Sequence, residues 1–261
     1  MPAIVFIHGG GFKSGNKANS GCYGGITVYT ELLASHGFFV VSIDYRLEGL
    51  VGEDHFPAAT EDSKCAVRWL RANADKYNID PERIGVWGTS AGANLAMMVG
   101  LVDEMAGMEG NGGWEEFSSR VQAVVSYCGN ADFIRSYEER EARFAARGLP
   151  YPDTGPNVIR FGGHLDEVPE IYKAGSPINH VTEDDPPLLL AHGELDTKIA
   201  YDRSEEIYQA YLEAGLEAEL IKVSNAGHSF SQETDSPISP SFDDIYEMTL
   251  DFLIKHLLLN R

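Results

Sequence analysis

Ile84-Gly85-Val86-Trp87-Gly88-Thr89-Ser90-Ala91-Gly92-Ala93-Asn94-Leu95-Ala96-Met97-Met98 passes without a break from an apolar strand pattern into an apolar helical one, with a serine at the junction. The first four residues favour a pleated, buried setting, and the alanine-, leucine- and methionine-rich tail favours a helix. Gly-Thr-Ser-Ala-Gly between a strand and a helix is the pattern of a nucleophile elbow, a sharp turn that lifts the serine hydroxyl above the end of a sheet. The flanking glycines leave room for the strained backbone and for close strand–helix packing. Such a pentapeptide recurs by chance in many chains, so its weight here comes from the strand–turn–helix context.

Outward from the elbow, strand-like and helix-like segments alternate. Ala3 to Ile7, Phe38 to Ile43, Arg83 to Trp87, Val121 to Tyr127, Pro187 to Ala191 and Glu217 to Val223 read as six strands. Most are continuous apolar runs, as expected for strands covered on both faces. Helical patterns occupy Ala58 to Tyr77, Ala91 to Val102, Asp202 to Ala214 and Asp243 to Leu258, with Pro57 suited to a first turn and Gly215 to a stop. This order predicts an α/β fold, a mostly parallel, doubly wound sheet of about six strands in one domain over residues 1–261. Residues from about 129 to 185 break the rhythm, with a charged helical segment (Phe133 to Arg147) and then Pro- and Gly-rich chain. They are too many for an ordinary loop and read as an inserted cap over the sheet's C-terminal edge.

A serine needs a base, and the base needs a carboxylate to orient it. His228, in Asn225-Ala226-Gly227-His228-Ser229-Phe230, follows the last predicted strand and can reach over the sheet edge. His192 precedes the carboxylate stretch, His36, His55 and His256 sit in or beside helices, and His8 belongs to a glycine loop. The stretch His192-Gly193-Glu194-Leu195-Asp196 offers Asp196 as the better carboxylate and Glu194 as its rival. The order Ser90, Asp196, His228 is that of hydrolases built on an elbow. His8-Gly9-Gly10-Gly11-Phe12 directly follows the first strand. Consecutive glycines let backbone N–H groups face a substrate oxyanion, and the missing GK[ST] excludes a phosphate loop of the Walker type.

Composition narrows the classes. Apolar residues make up 43% and charged residues 23%, as in ordinary globular proteins. The formal net charge of −20 argues against nucleic acid as a partner. No apolar run approaches the length that spans a bilayer, which argues against a membrane role, and no leader pattern precedes Ala3. The chain as written therefore reads as cytoplasmic, with a longer secreted parent as the alternative. Cys22, Cys65 and Cys128 match neither a zinc spacing nor a CxxC pair, so no metal or cofactor is called for.

Taken together, these residues resemble the hormone-sensitive-lipase-like branch of the α/β-hydrolases, and within it the small bacterial carboxylesterases that include acetyl-xylan and feruloyl esterases. The resemblance is carried by His8 to Phe12, Asp44-Tyr45-Arg46-Leu47, Phe56-Pro57-Ala58-Ala59, Gly88 to Gly92, Ala174-Gly175-Ser176-Pro177-Ile178, Asp185-Pro186-Pro187, His192 to Asp196 and Gly227-His228-Ser229-Phe230. It implies a Ser90–His228–Asp196 triad acting through an acyl-enzyme, with the amides of Gly10, Gly11 and Ala91 as oxyanion donors. It implies short acyl or feruloyl esters, on small molecules or carbohydrate, as substrates. Asp44-Tyr45-Arg46 would brace the loops below the site. Phe12, Tyr23, Phe133 and His164 are candidates for the substrate pocket, with plain packing as the alternative for each. Amide hydrolysis on the same triad, and ligand binding without catalysis, are the rival functions. The sequence departs from the family in the longer loop from Glu48 to His55 and in its start. Relatives carry two more strands before the oxyanion strand, so Phe38 to Ile43 is expected at an edge, either from truncation or paired with a second copy as a homodimer.

Overall fold

The computed structural model describes residues 1–18, 25–48 and 54–259. Its sheet is built from β1 (Ala3–Ile7), β2 (Phe39–Ile43), β3 (Ile84–Thr89), β4 (Ala123–Tyr127), β5 (Leu188–Gly193) and β6 (Ala218–Val223). The spatial order is β2-β1-β3-β4-β5-β6, and every neighbouring pair is parallel. All six expected strands form, with ends displaced by one or two residues. The segment Phe38 to Ile43 takes the predicted edge position, paired among the described residues with β1 alone.

Helices cover both faces. Helix α1 (Gly25–Ser35) lies between β1 and β2; α2 (Ala58–Ala72) and the single turn α3 (Ala74–Tyr77) lie between β2 and β3; α4 (Ala91–Leu101) follows the elbow. On one face Val5, Val86, Val124 and Leu190 pack with Val67, Leu70, Leu95 and Ile207. On the other, Ile4, Phe6, Trp87, Val125 and Leu189 pack with Tyr29, Leu33 and Leu253. Alternate residues of the strands thus feed different cores, so the central strands carry no polar face.

Three features differ from the sequence expectation. Helix α1 carries no strong helical signal, because Thr27, Val28 and Thr30 are β-branched. Tyr29 and Leu33, one turn apart, are both buried, and that packing overrides local preference. The helix read as continuous from Ala58 to Tyr77 breaks at Asn73, which leaves helical geometry at φ −107° and ψ 14°. Between β4 and β5 the chain forms α5 (Phe133–Ala145) as anticipated, and also the short α6 (Pro156–Phe161) and α7 (Pro169–Ala174). Each of the short helices has a proline in its first turn, where the missing N–H costs nothing. Helix α8 (Asp202–Glu213) and α9 (Phe242–Ile254) complete the layers. Among the described residues no helix is long and apolar enough to cross a membrane.

At the elbow, backbone approaches backbone closely. A methyl group on Gly92 would fall 2.1 Å from the Ile7 carbonyl oxygen, and one on Gly88 would fall 1.9 Å from that of Gly92. Neither neighbour is a side chain that can turn aside. Gly92→Ala is therefore expected to cost about 3 kcal/mol or more. Gly148→Ala, where φ is +70° and nothing lies within 4 Å, should cost only about 1 kcal/mol. Urea denaturation of the two variants checks this contrast, and equal losses would contradict it.

Asp185, which leads into β5, accepts hydrogen bonds from the amide and hydroxyl of Thr182, yet burial pushes its carboxyl up to about 6. Between the ordinary carboxylate value and that figure the native chain holds a proton that the unfolded chain has lost. Stability contributed here falls as pH rises through this window. Replacing Asp185 with Asn should flatten the decline, measurable as denaturation midpoints between about pH 4 and about pH 6.5.

Candidate active site

Ser90 closes β3 and precedes α4 with φ 53° and ψ −116°, a left-handed conformation that a non-glycine residue holds only under constraint. Its amide donates to the Tyr127 carbonyl at 2.8 Å, which pins the turn to the end of β4. The hydroxyl faces His228, whose Nε2 lies 2.9 Å from Ser90 Oγ. His228 opens a short turn after β6, and its other nitrogen, Nδ1, donates to Asp196 Oδ2 at 2.6 Å. Asp196 sits on the loop after β5. The three residues come from the C-terminal ends of three parallel strands, where a doubly wound sheet presents its loops.

The Asp196 carboxylate is buried and saturated. Oδ1 accepts from the amides of Lys198 and Ile199 at 2.8 and 3.0 Å; Oδ2 accepts from His228 and, at 3.2 Å, from Nε2 of His192. Burial alone would push its carboxyl up. The hydrogen bonds from His192 and His228, the His228 charge and the Ile199 amide outweigh that and hold it well below the usual carboxylate range. Glu194, the rival carboxylate, is exposed and paired at 2.7 Å with Lys222. It takes no part in this cluster.

Glycines again set the approach of the loops. A methyl group on Gly193 would meet the Gly227 carbonyl at 2.3 Å, so the loops carrying Asp196 and His228 close on each other only because that position is bare. The glycine loop after β1 adopts φ 129° at Gly10 and 63° at Gly11. Among the described residues the amides of Gly10, Gly11 and Ala91 donate to no protein acceptor. All three residues line cavities that also reach Ser90. Free N–H groups gathered beside a serine hydroxyl are the donors an oxyanion requires. Below them, His8 donates from Nδ1 to the Gly9 carbonyl at 2.7 Å and stacks on Tyr45 at 4.3 Å, and Tyr45 donates to the His8 carbonyl. Burial lowers the His8 pKa, so its ring serves here as a neutral brace. Tyr45 thus braces the loop, and Arg46 is held by Asp62 and Glu61.

Phe12 and Phe133 meet at 6.1 Å between ring centroids and line a cavity of about 100 Å³ beside Ser90. His164 does not reach it. That ring is tied to Tyr137 at 2.6 Å and Asp153 at 2.9 Å and lines a separate cavity that excludes Ser90. Tyr23 lies outside the described residues.

Several organising residues carry no sequence signal for this role. Arg160, on α6, is fully buried with its guanidinium carbon 3.6 Å from the Phe12 ring centroid, and its Nε donates at 2.8 Å to Glu48, itself buried. Glu48 also accepts from the Ala59 amide, and its own amide donates to the Phe12 carbonyl. Arg160 Nη2 reaches Asn94 on α4 at 3.3 Å. Cys128 stands at the end of β4, in no disulfide, with its sulfur close to Asp196 and His228. Among the described residues these three are the one set of His, Cys and carboxylate groups whose ligand atoms lie within 4.8 Å of one another. Two of them are already committed to each other by the 2.6 Å bond.

A parallel sheet in this order, with a serine on the β3–α4 turn, a carboxylate after β5 and a histidine after β6, defines an α/β-hydrolase. The model of the BD-FAE family matches residues 1–211, and the chain belongs to that family. It is similar to Esterase LipC of Mycobacterium tuberculosis, 30% identical over 233 residues that make up 88% of this chain and 53% of LipC. Among solved structures, a truncated form of a carbohydrate esterase from gut microbiota superposes with a TM-score of 0.78 at 28% identity, over 98% of this chain and 85% of that one. The propionate-bound thermophilic esterase Est2 of the planctomycete Thermogutta terrifontis superposes with a TM-score of 0.75 at 25% identity, over 100% of this chain and 86% of that one. The chain spans about half the length of the curated relatives it matches.

Losing the Glu48 charge while Arg160 stays buried would leave a guanidinium without its counter-ion. Glu48→Gln is expected to lower unfolding free energy by about 3 kcal/mol, and adding Arg160→Met should restore most of the loss. A double-mutant cycle in urea measures the coupling, and independent, additive losses would contradict it.

Proposed function

We propose that the chain is a serine carboxylesterase that hydrolyses short-acyl esters, with Ser90 as nucleophile, His228 as general base and acid, and Asp196 as the group that orients the imidazole. The observation that carries this reading is the continuous hydrogen-bonded run Asp196–His228–Ser90, at 2.6 and 2.9 Å, on a strained turn that opens into a cavity. In the first step Ser90 Oγ attacks the ester carbonyl while His228 Nε2 takes its proton. The amides of Gly10, Gly11 and Ala91 receive the oxyanion. The tetrahedral intermediate collapses, His228 gives the proton to the departing alcohol, and an acyl-Ser90 ester remains. Water repeats the sequence and releases the acid. Asp196, held ionised, balances the imidazolium formed in each half-reaction.

The cavity of about 100 Å³ bounded by Phe12, Ala91 and Phe133 suits an acetyl or similarly short acyl group and is small for a feruloyl group. Relatives named as esterases, including one named a carbohydrate esterase, support ester hydrolysis and make a sugar ester a natural candidate.

The test is turnover of 4-nitrophenyl acetate. Ser90→Ala should lower kcat by about a thousandfold or more while leaving the far-ultraviolet spectrum unchanged. A fluorophosphonate should label the native chain stoichiometrically at Ser90, by mass spectrometry, and leave the variant unlabelled. Turnover that survives the substitution would overturn the assignment.

A further inference from the structure

We propose that the wide cleft in front of Ser90 selects esters whose alcohol carries a negative charge, a carboxylate on the leaving group, and that Lys13, Arg140, Arg143 and Lys198 recognise it. The inference rests on the reading of Ser90, His228 and Asp196 as an ester-cleaving triad.

Two cavities meet at Ser90, and the chemistry assigns one to each half of an ester. His228 lines the larger, of about 750 Å³, and is absent from the smaller, of about 100 Å³, while Arg140 lines both and Lys13, Arg143 and Lys198 line the larger alone. The alcohol oxygen must come within hydrogen-bond reach of His228 Nε2 to receive its proton. The alcohol half therefore occupies the larger cleft, and the acyl half occupies the narrow pocket against Phe12 and Phe133.

The larger cleft has an unexpected charge. The chain carries 40 acidic and 20 basic residues, so a wall of average composition would hold two carboxylates for each cation. The lining of this cleft instead includes Lys13, Arg140, Arg143 and Lys198 and no carboxylate. Most cations elsewhere are neutralised at close range: Arg160 by Glu48, Lys64 and Arg68 by Glu109, Arg203 by Glu139 and Glu206. Among the described residues the four cleft cations make no ion pair.

They also converge from three separate segments. Lys13 follows the glycine loop, Arg140 and Arg143 lie three residues apart on one face of α5, and Lys198 follows Asp196. Arg140 Nη2 reaches the Lys198 carbonyl at 3.5 Å, which ties α5 to the Asp196 loop. Unneutralised like charges gathered on one wall repel one another, and a bound anion removes that cost. A guanidinium also presents paired N–H groups that match the two oxygens of a carboxylate. In a chain of net charge −20 an anionic substrate is repelled at long range, so a local positive wall is what admits it.

The test compares 3-carboxy-4-nitrophenyl acetate with its methyl ester, two substrates that differ in one charge on the leaving phenol. At about 20 mM ionic strength kcat/KM for the carboxylate should exceed that for the methyl ester by about tenfold, and the preference should shrink in about 0.5 M NaCl. In the double variant Arg140→Gln, Arg143→Gln the quotient of the two values should fall at least about fivefold, a change that a general loss of folding or activity does not produce. A sulfonate in place of the carboxylate separates planar, bidentate recognition from simple attraction: a preference at least as large for the sulfonate would overturn the carboxylate assignment. A quotient of one, or one unmoved by the double variant, would overturn the proposal.

Binding of the corresponding free phenols to Ser90→Ala, measured by calorimetry, gives the same comparison without turnover. If neither ester is cleaved, the triad reading fails, whereas tighter binding of the charged phenol still upholds the cleft's preference and equal binding overturns it.

Discussion

A full positive charge on Arg160, buried beneath the Phe12 ring and matched by the buried carboxylate of Glu48, is the constraint on which the surroundings of Ser90 depend. Neither charge can be left alone in that interior without a cost of several kcal/mol. The pair therefore fixes everything bonded to it. Glu48 holds the Phe12 carbonyl and the Ala59 amide, and Arg160 holds Asn94 and, through its own carbonyl, the Phe56 amide. The glycine loop, the start of α2, the elbow helix and α6 meet at one ion pair. The narrow cavity beside Ser90 owes the Phe12 side of its wall to this arrangement.

Around that anchor, precision comes from missing side chains as much as from present ones. Gly88 and Gly92 allow β3 and α4 to fold against β1, and Gly193 allows two loops to touch. The hydrogen bonds of the Ser90, His228 and Asp196 cluster are then a consequence of backbone contact. Strain at Ser90 persists because the Tyr127 carbonyl, the helix after it and the strand before it all hold the same turn.

The framework was legible in the sequence because each of its signals is local. Most of the six strands are runs of apolar residues, the elbow is a pentapeptide in a recognisable context, and the histidine follows the last strand within a few residues. What remained hidden is non-local. Nothing near Glu48 announces that it meets Arg160 from 112 residues away. Asp196 and Glu194 are separable only once the loop's path sends one inward to His228 and the other outward to Lys222. Helix α1 has no local signal because tertiary burial of Tyr29 and Leu33, not propensity, forms it. His164 sits between two short helices and is turned to Tyr137 and Asp153, a placement that composition does not encode.

The Asp196 carboxylate serves two imidazoles at once. Nε2 of His192 faces only acceptors, Asp196 Oδ2 and the Ile199 carbonyl, so that nitrogen bears the hydrogen and, in the neutral ring, Nδ1 accepts from Ser204 Oγ at 2.7 Å. On the opposite side the same oxygen orients His228 toward Ser90. One carboxylate thus stands between two serine–imidazole couples, bonded in the same residue order but with the ring nitrogens exchanged. His192 and Ser204 are sealed in the interior, while His228 and Ser90 border the cleft. The buried couple is a counterpart with no door: its two ring nitrogens take the opposite partners, its hold on the carboxylate is longer, and it is shut away from any substrate.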